Sequence, residues 1–151
     1  MSRPRRLLCA AYAAIAVLAL FATWTQNVAY FVPGEGALGF ANATARFWAA
    51  TYANPATTSI TIDLALLLVP LLAWMVIEAR RLGIRFVWLY FVFGCLVAIS
   101  VTFPLFLIAR ERRLAERGEA GADLGIGAGD LAALLAIGAA VAALAFWTIA
   151  R

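Results

Sequence analysis

Four stretches of the chain, residues 7–23, 59–77, 86–109 and 131–150, are apolar on every side instead of along one stripe. Each falls within the roughly 17–25 residues that a helix needs to cross a hydrocarbon core of about 30 Å. The pattern predicts an all-α, polytopic membrane protein with four transmembrane helices, forming a single integral membrane domain over residues 1–151. Thr25, Gln26 and Asn27 follow the first run closely. An uncleaved first span is nevertheless expected over a signal peptide, because the run is long for a signal and no small-residue cleavage site follows it.

Between the first two spans, Pro33-Gly34 marks a turn. Phe40, Phe47, Trp48 and Tyr52 then recur at near-helical spacing through a stretch whose single charge is Arg46. Aromatic rings at that spacing predict an interfacial helix between the first and second spans, with its rings at headgroup level. Asn54-Pro55 ends it, because the residue before a proline avoids helical dihedrals, and Thr58 or Ser59 can cap the next helix. The turn 80–85 is so short that the second and third spans must be antiparallel neighbours, with Gly83 closing the helix in a left-handed conformation. Gly94, Ala98 and Thr102, four residues apart, form a small-residue ladder for close helix packing. Pro70 and Pro104 each remove a backbone donor and bend their helices.

Composition strengthens this reading: 66% of residues are hydrophobic and 13% are charged, far from soluble globular usage. All twelve basic residues are arginine, and histidine is absent. Without histidine, the commonest metal ligand and the usual proton shuttle are missing, so no metal site and no cofactor is expected. Cys9 and Cys95 fall inside spans without a spacing motif and are read as small hydrophobes. The glycines at 125, 127 and 129 lack the lysine and strand of a phosphate loop, and Asp130 can cap the fourth span.

The net charge of +4 matters by location. Arg3, Arg5 and Arg6 precede the first span, and Arg80, Arg81 and Arg85 follow the second, so the positive-inside rule places both groups in the cytoplasm. The N terminus is then cytoplasmic, and with four crossings Arg151 is too. Arg110, Arg112, Arg113 and Arg117 conflict with this scheme, since one further crossing puts them outside. Glu111, Glu116, Glu119 and Asp123 lie among them in a charged continuation of the third helix. Basic clusters beside spans point to anionic headgroups and not to nucleic acid.

Two carboxylates stand out. Asp63 lies inside the second span, where a carboxylate costs about 2.5 to 3.5 kcal/mol at mid-membrane on insertion scales. Glu78 lies on the same helix face but roughly 22 Å further along the axis, so the two cannot form a dyad. Glu78 is expected to be neutralised in a cytoplasmic charge cluster with Arg80, Arg81 and Arg85. Asp63 faces the end of the third span in an antiparallel hairpin, which predicts an ion pair with Arg110, with Thr102 or Asn54 completing the hydrogen bonding. A polar pocket for a lipid headgroup or small ligand, and an acid for proton handling or catalysis, are the alternatives at Asp63.

Asn54-Pro55, Asp63, Glu78, Arg81, Gly83, Trp88, Tyr90, Phe103-Pro104-Leu105-Phe106-Leu107 and Arg110-Glu111 together resemble the bacterial membrane family catalogued as domain of unknown function 2834. The resemblance covers about residues 7–113. It implies a small helical membrane protein, usually of three spans, so that the fourth span is a departure, and it implies no reaction. The expectation is a non-enzymatic, multi-pass protein of the bacterial inner membrane, an accessory or scaffolding subunit or a lipid-associated module, whose partners are lipids and other membrane helices. The alternatives are a small membrane enzyme acting on an isoprenoid or lipid with Asp63 as acid, and an oligomeric transporter or ion pathway.

Overall fold

The computed structural model describes residues 1–119, 121 and 124–150. Asp123, expected in the charged continuation of the third helix, and Arg151, expected on the cytoplasmic side, lie outside the described residues. The described part is all-α: α1 Arg3–Asn27, α2 Gly39–Ala50, α3 Pro55–Leu82, α4 Val87–Leu96, α5 Ile99–Glu116 and α6 Ala128–Ile149, with short 3-10 turns at Val28–Tyr30 and Gly36–Leu38. α1, α3 and α6 are long and apolar enough to cross a membrane. α4 is apolar but has only 10 residues, about 15 Å of rise.

That last helix corrects the sequence reading. The apolar run 86–109, expected as one span, breaks at Val97 and Ala98. Ala98 is extended, at φ −177° and ψ 138°, before α5 begins, and the chain reverses. The edge-to-face contact of Tyr90 with Phe106, with ring centroids 5.6 Å apart, and the approach of Gly94 to Thr102 have the same residue-number sum, the signature of an antiparallel helical hairpin. The small-residue ladder is therefore not one helix face: Gly94 packs across the hairpin on Thr102, and Ala98 lies in the reversal. A Cβ on Gly94 would stand 2.9 Å from both Ile99 Cδ1 and Thr102 Oγ1. At the reversal the Val97 N–H donates to Phe93 O and the N–H groups of Val101 and Thr102 donate to Ala98 O, which keeps these backbone groups bonded away from water.

The chain divides into two compact units, residues 1–23 with 75–151, and residues 24–74. In the first, Phe106, Met75, Leu82 and Ala79 are almost wholly buried. α3 ends as expected at Gly83: its φ is +67°, Ile84 N–H donates to Ala79 O at 2.8 Å, and Gly83 N–H donates to Arg80 O. These two bonds satisfy carbonyls that the helix end would otherwise leave open. Phe86, just before α4, is also left-handed at φ 60°, a conformation that costs a bulky residue strain. α5 continues only to Glu116 and is capped at Arg117, so the charged continuation is helical as far as Glu116, and Glu119 lies beyond the helix. α6 buries none of its side chains, and Asp130 Oδ2 accepts the Gly127 N–H at its start.

In the second unit, Arg46 on α2 donates through Nη1 and Nη2 to the two oxygens of Glu35, at 2.8 and 2.7 Å, and through Nε to Tyr30 O at 2.9 Å. This fork ties α2 to the connection before it and lowers the Glu35 carboxyl below its ordinary pKa, chiefly through the arginine hydrogen bonds. Tyr30 packs edge-on against Phe47 at 5.8 Å. α2 stops at Ala50, and the cap of α3 differs from the expected Thr58 or Ser59. Asn54 caps it, its Oδ1 accepting the Thr57 N–H at 3.0 Å. Pro55 stands at the first helical position, where its missing N–H costs nothing.

Candidate functional site

The polar residues of the first unit converge where α1 begins, α3 ends and the second half of α5 passes. Arg110 and Glu111 are consecutive on α5 and therefore point about 100° apart. Arg110 Nε donates to Glu78 Oε1 on α3 at 2.7 Å, and its Nη1 donates to Glu111 Oε1 at 2.8 Å. Glu111 Oε2 accepts from Arg5 Nη1 on α1, and Arg5 Nε donates to Gly121 O at 2.9 Å. Arg81 closes on Glu78 from the same helix, through Nε at 2.7 Å and Nη2 at 2.8 Å. It reaches Glu119 through Nη1 at 3.1 Å, while Arg117 donates to Arg81 O at 2.8 Å.

This is a continuous ladder, Arg5–Glu111–Arg110–Glu78–Arg81–Glu119, that joins three helices and the segment after α5. The Glu78 and Glu111 side chains are only 10% and 5% exposed, and all four of their oxygens accept from guanidinium groups. Bidentate and shared arginine–carboxylate bonds of this kind are charge-assisted and stronger than neutral hydrogen bonds. Chemically the ladder fastens helices, and neither acid has an uncommitted oxygen to offer a substrate.

The predicted site residues fall differently from expectation. Of the expected cluster, Glu78 and Arg81 are paired, while Arg80 and Arg85 are exposed and their side chains make no hydrogen bond or ion pair among the described residues. Arg110, the expected partner of Asp63, is committed to Glu78 and Glu111. The reversal at Val97 and Ala98 returns α5 to the end of α3 that carries Glu78. Asp63 is exposed and has no hydrogen bond or ion pair among the described residues. The one cation of its unit, Arg46, is engaged by Glu35. Asn54 serves as the cap of α3. Thr102 is buried to 5% exposure beside Gly94, and its hydroxyl has no hydrogen-bond partner among the described residues. Arg5 and Glu111 were not singled out as a pair by the sequence reading. The only signal for them was two charges of opposite sign at helix ends 106 residues apart.

Beside the ladder, an open groove of about 690 Å³ lies between the start of α4 and the second half of α5. Tyr90, Leu105 and Ile108 line its apolar part, and Arg85, Arg112 and Arg113 line its other end. Arg113 is paired with Glu116 at 2.8 Å. Among the described residues no group of three or more metal-ligating side chains comes together.

The profile of the family described as protein of unknown function DUF2834 matches residues 11–112. That stretch contains α1 from its third turn, α2, α3, the hairpin, and both members of Arg110-Glu111, and it ends before α6. No curated protein and no solved structure matches the chain.

Proposed function

The chain belongs to the DUF2834 family of membrane proteins, and from that premise we propose that it is a non-enzymatic subunit of a larger assembly in the bacterial inner membrane. One observation carries the reading. Asp63 stands exposed on a membrane-crossing helix whose own unit has no free cation to meet it. A carboxylate facing lipid costs about 2.5 to 3.5 kcal/mol on insertion scales, and it is tolerated when a neighbouring helix supplies a partner. A second membrane protein with a cation at that depth supplies it here. The arginine-bound state of Glu78 and Glu111 supports the non-enzymatic part, because these acids serve to hold helices.

The same proposal includes a topology. α1, α3 and α6 cross the bilayer, α2 lies in the interface, and α4 with α5 enters and leaves on one side. The apolar part of the hairpin, 10 residues of α4 and residues 99–109 of α5, reaches about 15 Å, or half of the core. This arrangement removes the charge conflict. Arg110, Arg112, Arg113 and Arg117 join Arg3, Arg5, Arg6, Arg80, Arg81 and Arg85 on one face, which the positive-inside rule makes cytoplasmic. The N terminus is then cytoplasmic and the end of α6 is not, in contrast to the four-crossing scheme.

The test is isolation of the full chain from its native membrane in mild detergent. A stoichiometric membrane partner is expected, and Asp63→Asn is expected to release it while the helicity and melting of the chain stay unchanged. Recovery of the chain alone and monomeric overturns the subunit reading.

A further inference from the structure

We propose that the groove between the start of α4 and the second half of α5 binds an anionic phospholipid, with its phosphate on Arg85 and Arg112 and an acyl chain over Ile108 and Leu105. Inside the groove, three arginines face one glutamate, and the Arg113–Glu116 pair leaves Arg85 and Arg112 uncompensated. Neither side chain makes a hydrogen bond or ion pair among the described residues, although the acids nearest in sequence, Glu78, Glu111, Glu116 and Glu119, are all bound by other arginines. Two unpaired guanidiniums from different segments, held around one cavity, offer planar donor forks suited to the oxygens of a phosphate.

Geometry then selects a lipid over a free ion. Arg112, Ile108 and Leu105 are four and three residues apart along α5, so they share a helix face, and the apolar pair lies about 6 and 10 Å deeper along the axis than the cation. The antiparallel pairing of Tyr90 with Phe106 and of Gly94 with Thr102 brings Arg85, just ahead of α4, level with the Arg112 turn of α5. The groove is thus polar at one level and apolar below it, the order of a headgroup and its acyl chain. Leu105 is 44% exposed, so the chain leaves an apolar floor uncovered. The volume of about 690 Å³ accommodates a headgroup with the first part of one chain. This inference uses the membrane placement of the hairpin but not the subunit reading, so a chain that purifies alone leaves it standing.

The experiment is titration of the delipidated full chain in neutral detergent with phosphatidylglycerol and, separately, with phosphatidylcholine of the same acyl composition, followed by native mass spectrometry. A preference of at least about tenfold for phosphatidylglycerol is expected. Arg85→Gln with Arg112→Gln is expected to bring phosphatidylglycerol to the phosphatidylcholine level, whereas Arg80→Gln, which removes one exposed charge outside the groove, leaves the preference intact. Leu105→Trp, which fills the apolar floor and keeps both arginines, is expected to weaken phosphatidylglycerol by a similar factor and serves where the double variant fails to fold. Equal binding of the two lipids, an equal effect of Arg80→Gln, or displacement of the lipid by a large excess of inorganic phosphate overturns the proposal.

Discussion

Glu111 is the residue on which the packing of the first unit turns. Its side chain is 5% exposed, and its two oxygens accept from Arg110 on its own helix and Arg5 on α1. Replacing it by glutamine would keep the volume but leave Arg5 without its anion and Arg110 with Glu78 alone, and breaking a buried pair in this way costs about 3 to 5 kcal/mol. Glu111→Gln is therefore expected to lower the unfolding midpoint of the purified protein in detergent markedly, and Glu111→Asp to recover part of the loss; an unchanged midpoint would contradict the ladder. The sequence marked Arg110-Glu111 as part of a family pattern and Glu78 with Arg81 as a charge pair. It did not connect them, because a carboxylate and a guanidinium in different helices carry no spacing rule that relates them.

At the scale of elements, the hairpin of α4 and α5 depends on the absence of a side chain at Gly94. A methyl group there meets Thr102 Oγ1 and Ile99 Cδ1 at 2.9 Å, and forcing that much into a packed contact costs about 1 to 3 kcal/mol. Gly94→Ala is expected to destabilise by that amount in a denaturation titration, while Gly138→Ala on α6, which meets nothing within 4 Å, is expected to be neutral or slightly stabilising. Most elements were legible before the fold was known: α1, α3 and α6 from unbroken apolar length, α2 from aromatic spacing, and the end of α3 from Gly83. The cap of α3 falls at Asn54 and not at Thr58 or Ser59, because Asn54 and Pro55 both close off the segment before them and begin the next helix. The break at Val97 and Ala98 had no marker, because neither proline nor glycine stands there and both sides are equally apolar.

At the scale of the whole molecule, the proposed topology rests on the reversal at Val97 and Ala98. Cys95 lies two residues before it and is exposed. With Cys9→Ser as background, Cys95 is expected to react with a small apolar maleimide and to resist a membrane-impermeant one from either side of a vesicle. Arg80→Cys and Glu116→Cys in a cysteine-free chain are expected to label from the same side; labelling from opposite sides would restore residues 86–109 as a fourth crossing span. The sequence by itself determined that this is an all-helical membrane protein, because apolar length and the absence of polar periodicity depend on nothing beyond the chain. Only the tertiary structure decided that residues 86–109 turn back and which arginine meets which glutamate. Those outcomes depend on contacts between distant segments, Gly94 against Thr102 and Glu111 against Arg5, whose free energy exists only once the helices are placed side by side.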